Sequence, residues 1–136
     1  MRHRIAFIDH VAVTVSDIDR ACQFFIDLLD GEQVSEYAPE GKPLARQIQA
    51  GGAMLSVHQV GNGIYPLVAD KPTVGGVDIC FRWNGPIGTA QAHLASLGIE
   101  IIDGPRDNRS NGGGRAKSVY FRDLDDNLFE FITTDV

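Results

Sequence analysis

The sequence predicts an α+β fold of two tandem modules, each with one strand, one helix and three further strands. A strand-like segment at residues 8–15 recurs at residues 76–81, half a chain later. Each copy is followed, at similar spacing, by an amphipathic helical pattern that stops at a glycine. This self-similarity indicates that one supersecondary unit is duplicated. It also places the polar residues His10 and Asp78 at the same position in both copies, which suggests that the copies build a site together.

Composition and charge limit the kind of protein that this chain can be. Its 136 residues suffice for one compact domain or two closely packed halves. The formal net charge of −6 argues against nucleic acid and anionic membranes as partners, because both need a basic face. No apolar run of about 18 residues is available to span a bilayer, and the apolar stretch near the amino terminus is too short for a signal peptide. We therefore expect a cytoplasmic protein, with Cys22 and Cys80 as reduced thiols in the core.

The first module begins with a strand. Apolar and polar residues alternate over residues 7–15, which is the pattern of a half-buried strand. Ser16 then resembles the N-cap of an amphipathic helix, and Gly31 ends that helix. Short strand candidates follow, of which the clearest is Ala53–Val60 after a Gly-Gly turn.

The second module repeats this order. A strand begins at Gly76, and Pro86 opens a helix that Gly98 closes. A flexible loop rich in Gly, Asn and Arg is predicted over residues 104–114. Three strands are predicted around this loop: Ile99–Ile102, Ser118–Arg122 and Leu128–Thr133.

Side-chain alternation predicts which face of each sheet is polar. The helices need an apolar sheet face, which the valines of the first strand and the phenylalanines of the last strand supply. Four ionisable residues then fall on the opposite face: His10, His58, Asp78 and Glu130. An imidazole and carboxylates that converge in a strand-lined cavity suit a divalent metal ion with open coordination positions, such as Fe(II), Mn, Ni, Zn or Mg.

Each of these four residues also has a structural interpretation. A histidine on a strand, such as His10, is often held by a hydrogen bond alone, and His58 at the end of its strand can simply be solvated. Arg82 lies on the same face as Asp78 and can serve as its partner. Glu130 is the clearest candidate, because it interrupts an apolar run in which an unpaired carboxylate is costly to bury.

Three segments of the chain resemble the vicinal oxygen chelate superfamily, the fold of glyoxalases, bleomycin-resistance proteins and extradiol dioxygenases. They are Ile8–Val11, the helix end at Phe24–Gly31 and the closing segment Tyr120–Glu130. The resemblance implies a single domain over residues 1–136 in which the modules form a curved, cup-like mixed sheet with the helices outside. Within it we expect module one at about 5–60, a linker at about 61–75 and module two at about 76–134.

The same resemblance implies the ligands of the metal. His10 and Glu130 match the family's first-strand histidine and last-strand carboxylate. Asp78 stands where the family usually has a histidine, and it can still bind a metal. Ser56 stands where a glutamate is common, so His58, two residues further along the same face, is the substitute.

The resemblance also implies a function. We expect a metal-dependent enzyme, in a homodimer, that acts on a small molecule with adjacent oxygens, as a glyoxalase-like lyase or isomerase or like an extradiol dioxygenase. Tyr120, Arg115 and Arg122 are candidates to orient an anionic or phenolic substrate. Two alternatives stay open: a resistance protein of the bleomycin type that sequesters a small molecule without catalysis, and a degenerate paralogue kept for dimerisation or regulation.

Overall fold

The computed structural model describes residues 3–63 and 66–136. By its internal contacts the chain divides into two compact units, residues 1–74 (unit 1) and 75–136 (unit 2). In the described residues, each unit contains one α-helix and one four-stranded mixed sheet, in the order strand, helix, three strands. The predicted α+β fold of two tandem modules is therefore confirmed. No helix in these ranges is both long and apolar enough to cross a membrane.

Unit 1 places its first and last strands side by side. In the sheet order β1-β4-β3-β2, β1 is parallel to β4, and the other neighbours are antiparallel. A short 3-10 turn at Pro39–Gly41 precedes β3. The elements are β1 (Val11–Val15), α1 (Ile18–Leu29), β2 (Glu32–Tyr37), β3 (Ala45–Ala50) and β4 (Ala53–Gln59).

Aspartates fix both ends of α1. Asp17, rather than the predicted Ser16, is the N-cap, because its carboxylate accepts a hydrogen bond from the N–H of Arg20 at 3.2 Å. At the other end Asp30 adopts the left-handed conformation, with φ of 49°, immediately before the predicted helix terminator Gly31. An aspartate tolerates this conformation because its short polar side chain can form local hydrogen bonds.

The core of unit 1 lies between α1 and one face of the sheet. Val13, Val15 and Val57 are fully buried on that face. Helix α1 contributes Phe25 and Leu28, which are each 1% exposed. Burial of each such side chain stabilises the fold by about 1.5–3 kcal/mol. The apolar face is thus the predicted one, and the functional candidates of unit 1 have to be sought on the other face.

Unit 2 repeats the topology of unit 1. Its sheet order is β5-β8-β7-β6, with β5 parallel to β8 and the other neighbours antiparallel. Helix α2 begins after Pro86 and is followed by Gly98 with φ of 70°, as the sequence predicts. The elements are β5 (Asp78–Arg82), α2 (Ile87–Ser96), β6 (Asp103–Arg109), β7 (Arg115–Arg122) and β8 (Leu128–Thr133).

Aromatic side chains dominate the core of unit 2. The rings of Phe121 and Phe131 have centroids 4.9 Å apart, and Trp83 lies 5.0 Å from Phe131. Phe129 is fully buried beside them, and α2 contributes Leu94, which is also fully buried. This confirms the prediction that the phenylalanines of β8 face the helix.

Strand β6 contradicts the predicted loop over residues 104–114. Residues 103–109 form a strand that pairs antiparallel with β7, and the predicted strand Ile99–Ile102 is not a strand. The prediction was wrong because it took a polar composition for a loop, whereas β6 lies at the end of its sheet and needs few apolar side chains. Gly104 is required here, since its φ is 97° and an added Cβ would collide with the backbone oxygen of Ser118.

A buried asparagine fastens the turn between β7 and β8 to the segment that enters β5. The Oδ1 atom of Asn127 accepts a hydrogen bond from the N–H of Val77 at 2.8 Å. Its Nδ2 donates to Oδ2 of Asp123 at 2.9 Å, and its backbone N–H donates to Oδ1 of Asp123 at 2.9 Å. Asn127 is fully buried and Asp123 is 7% exposed. The turn thereby fixes the start of β5, where Asp78 lies, and the start of β8, which carries Glu130.

Candidate functional site

The polar face of unit 1 carries two histidines. His10 lies immediately before β1, rather than within the first strand as predicted, and its side chain is 46% exposed. Its Nδ1 is 2.8 Å from Oδ1 of Asp9. The exposed position leaves the ring accessible, and the neighbouring carboxylate can orient it.

His58 lies on β4, opposite Thr14 of β1. Its Nε2 is 3.0 Å from Oγ of Ser56, and a pocket of about 200 Å³ adjoins it. Burial lowers the pKa of His58, and His10 lowers it further. His58 is therefore neutral at pH 7, which is the form that binds a metal or accepts a proton. His10 precedes Val11, which pairs with Leu55, so His10 and His58 lie toward opposite ends of the β1–β4 pairing.

The polar face of unit 2 is centred on Glu130 of β8. In the sheet, Cys80 of β5 and Tyr120 of β7 flank it on either side. Nδ2 of Asn108, on β6, donates a hydrogen bond to Oε2 of Glu130 at 3.2 Å. The same Nδ2 lies 3.1 Å from Oγ of Ser118 and 3.4 Å from the hydroxyl of Tyr120. Glu130 is thus held by a side chain that sequence analysis assigned to a loop.

Asp78 and Cys80 share this polar face. Asp78 lies two residues before Cys80 on β5, and both residues are exposed. Although the residue is exposed, partial desolvation of its sulfur raises the pKa of Cys80 to about 12, and the nearby carboxylates of Glu130 and Asp78 contribute to the rise. The predicted burial is confirmed for Cys22 but is wrong for Cys80, because alternation places Cys80 on the sheet face that points away from α2. A thiol with so high a pKa is protonated at pH 7 and is a poor nucleophile.

An open pocket of about 430 Å³ lies beside Glu130 in unit 2. Asn108 and Arg109 in its wall were not among the predicted site residues, because they fall in the predicted loop. A signal was available, since the Ser-Asn-Gly-Gly-Gly run at residues 110–114 is typical of a hairpin turn with a strand on either side. The residues around the pocket are Cys80, Arg82, Asn108, Arg109, Asn111, Glu130 and Ile132.

The four predicted metal ligands fall into one pair in each unit. The imidazoles of His10 and His58 belong to unit 1, whereas the carboxylates of Asp78 and Glu130 belong to unit 2. In residues 3–63 and 66–136, no group of three or more His, Cys, Asp or Glu side chains lies close enough together to hold a metal ion. The donor chemistry of each pair nevertheless fits a divalent cation, because neutral imidazole and carboxylate oxygen are ligands of Mn, Fe and Zn.

These features define a class of protein: a duplicated βαβββ domain that presents ionisable side chains on the sheet faces opposite its helices. The model of the Glyoxalase/Bleomycin resistance protein/Dioxygenase superfamily matches residues 7–131. The chain belongs to this family, the vicinal oxygen chelate superfamily that the sequence resembles.

Two relatives match over most of the chain. The virulence protein STM3117 of Salmonella typhimurium is 32% identical over 123 residues, which is 90% of this chain and 81% of that protein. The glyoxalase domain-containing protein RDO1 of Mycosarcoma maydis is 33% identical over 123 residues, 90% of this chain. This chain spans 65% of the length of RDO1.

Several solved structures share the fold over most of the chain. An integron cassette protein from the mobile metagenome of V. cholerae is 31% identical, with a TM-score of 0.85 and 98% coverage of both chains. Lactoylglutathione lyase from Agrobacterium tumefaciens is 20% identical over 98% of this chain and 97% of its own, with a TM-score of 0.74. A variant of the fosfomycin resistance protein FosX from Listeria monocytogenes, complexed with Mn(II) and 1S,2S-dihydroxypropylphosphonic acid, is 17% identical over 93% of this chain and 89% of its own, with a TM-score of 0.63. The likeness to the last two shows the fold alone.

Proposed function

We propose that this chain is a metal-dependent enzyme that acts on a small molecule through two adjacent oxygen atoms. The observation that carries the proposal is Glu130, a carboxylate in an otherwise apolar strand, held by Asn108 at the wall of an open pocket. This carboxylate is only partly buried and lines the pocket, where a cation or a ligand can reach it. A lyase or isomerase of the glyoxalase kind and a ring-cleaving dioxygenase both belong to this class of chemistry.

His10, His58, Asp78 and Glu130 are the candidate ligands of the divalent ion. When bound, the ion would act as a Lewis acid that polarises the adjacent oxygens of the substrate. The hydrogen bond from Asn108 fixes the orientation of the Glu130 carboxylate, as partners of metal ligands usually do. If His58 is not a ligand, its neutral imidazole can accept a proton at Nε2 once Ser56 turns its hydroxyl away, so His58 is alternatively a candidate base.

Two structures with this fold support the proposal. The FosX structure holds Mn(II) together with a compound that carries neighbouring hydroxyl groups. The structure from Agrobacterium tumefaciens is that of a lactoylglutathione lyase. Homodimerisation and a cytoplasmic location belong to the same proposal, and size-exclusion chromatography with light scattering tests the former.

Metal analysis of the purified chain tests the proposal. Protein isolated without chelator is assayed by elemental analysis, together with His10→Ala, His58→Ala, Asp78→Asn and Glu130→Gln. We expect near-stoichiometric divalent metal in the parent and a clear loss in Glu130→Gln. Glu100→Gln, at an exposed position between α2 and β6, is the matched control and should keep its metal.

The same four variants assign the ligands one by one. If a variant keeps the full metal content, the residue that it replaces is not a ligand of the metal. If neither the purified nor the reconstituted parent holds Fe, Mn, Ni, Zn or Mg, the proposal is wrong. Binding of aromatic small molecules by such a metal-free protein would identify the sequestering function instead.

A further inference from the structure

We infer that the pocket beside Glu130 is an oxyanion subsite, in which Arg82 and Arg109 bind a carboxylate, phosphonate or phosphate group of a small molecule. The inference rests on the proposed function, because it names the class of substrate that this site takes. It concerns unit 2 alone.

Two strands bring the arginines to one pocket. Arg82 ends β5 and Arg109 ends β6, and both line the same open volume of about 430 Å³. Asn111 also lines the pocket, and its side-chain amide N–H₂ is a hydrogen-bond donor to an anion. This volume suits a small molecule, since ligand pockets generally measure about 300–1,000 Å³.

The charges of the two arginines are not neutralised by ion pairs. In the described part of the chain, Arg46, Arg106 and Lys117 each lie within 2.9 Å of a carboxylate oxygen, whereas Arg82 and Arg109 form no ion pair. Arg109 donates one N–H to the carbonyl of Gly113 at 3.4 Å and keeps further donors for a ligand.

The balance of charge in the pocket favours one anionic group. Two guanidinium groups and a single carboxylate, that of Glu130, line the pocket. A positive pocket on a chain of net charge −6 concentrates anions at one place. The planar guanidinium matches the two oxygens of a carboxylate or phosphonate in a bidentate pair, which determines the chemical class of the ligand.

Titration of the full-length, ¹⁵N-labelled chain with inorganic phosphate tests the inference. The titration is done at constant ionic strength in the presence of EDTA, so that metal binding plays no part, and a parallel titration uses acetate. We expect shifts of the amide signals of residues 108–114, and we expect Arg82→Gln and Arg109→Gln each to weaken phosphate binding about tenfold. Arg20→Gln removes a charge from the exposed face of helix α1 and should leave binding unchanged.

Glu130→Gln provides the opposite test. Because it removes the single negative charge of the pocket, it should tighten phosphate binding several-fold, whereas Glu100→Gln should have no effect. Phosphate binding that is equal in the parent, Arg82→Gln and Arg109→Gln overturns the inference, and so does the absence of shifts with both anions. Since metal is excluded, a failure here leaves the metal analysis of the proposed function untouched, and failure of that analysis leaves this titration untouched.

Discussion

Asn127 offers the sharpest test of how the structure holds together, because its one side chain forms hydrogen bonds with two partners, the buried Asp123 and the half-buried Val77. Asn127→Ala leaves the N–H of Val77 and Oδ2 of Asp123 without their hydrogen bonds. Each orphaned group costs about 1–3 kcal/mol. Val77 has partial access to water, so we expect a total loss of about 3 kcal/mol, a large share of the about 5–15 kcal/mol typical of a domain.

Urea unfolding followed by the fluorescence of Trp83 measures this loss. Trp83 is the single tryptophan of the chain and packs in the core of unit 2 at 5.0 Å from Phe131. Asn111→Ala, in an exposed turn, is the control and should change stability by less than about 0.5 kcal/mol. A loss below about 1 kcal/mol in Asn127→Ala would refute the assignment of Asn127 as a fastening residue.

Asn127→Asp adds a dependence on pH whose sign follows from the structure. Burial raises the pKa of Asp123, and hydrogen bonds from Asn127 and Asp125 oppose the rise. The folded state therefore binds the proton of Asp123 more tightly than the unfolded state, and stability from this group falls as pH increases through the carboxyl range. A second carboxylate facing Asp123 enlarges this effect by about 1.4 kcal/mol for each further unit of pKa.

We therefore expect Asn127→Asp to lose more stability relative to the parent at about pH 7 than at about pH 4. Comparing the two proteins at each pH removes the contribution of the other titrating groups. An equal difference at both pH values would show that the two carboxylates do not interact.

Three further predictions use urea unfolding with matched variants. Gly104→Ala should lower the free energy of unfolding by more than about 2 kcal/mol, because both the positive φ and the nearby backbone oxygen of Ser118 disfavour a Cβ. Gly112→Ala, with φ of 95° and no atom within contact of an added Cβ, should lower it by about 1 kcal/mol. Equal losses would contradict the close approach of Gly104 to Ser118. Leu94→Ala should lower the free energy of unfolding by about 2–5 kcal/mol, since Leu94 is fully buried. Leu97→Ala should lower it by about 1 kcal/mol or less, because Leu97 is 37% exposed. The reverse order would mean that α2 packs against the sheet by another face. The planar guanidinium of Arg46 pairs with Glu36 at 2.7 Å and with Asp19 at 2.8 Å. Arg46→Lys keeps the charge but not this two-sided geometry, so we expect the free energy of unfolding to fall by about 1 kcal/mol. An unchanged urea midpoint would show that the charge alone suffices.

Much of the fold could be predicted because local pattern and long-range packing agree. The alternation that ends in Val13 and Val15 and the run around Phe129 and Phe131 describe the same buried faces that the structure shows. The ends of the helices were harder to predict from the sequence. Asp17 caps α1 in place of Ser16, since two neighbouring residues can both supply a capping oxygen and only the backbone geometry decides between them.

The candidate site was predictable only in part. Alternation places Glu130 and Asp78 on the sheet face that points away from α2. It likewise places His58 on the sheet face that points away from α1. It could not supply Asn108 or Arg109, because the polarity of β6 resembles that of a loop. The ligand role of the four predicted residues stays a prediction, since it depends on an ion that neither pattern nor register can reveal.

The polar composition of β6, which makes this strand resemble a loop in the sequence, also disfavours the pairing of other chains with the sheet edge. Its Asp-Gly-Pro-Arg-Asp-Asn-Arg run lies at the margin of the sheet, where an unpaired backbone could template the addition of foreign chains. A proline without an amide hydrogen interrupts that template, and an intruding strand would have to strip water from four charged side chains. The strand that supplies part of the pocket is thereby also protected against the stacking that leads to fibrils.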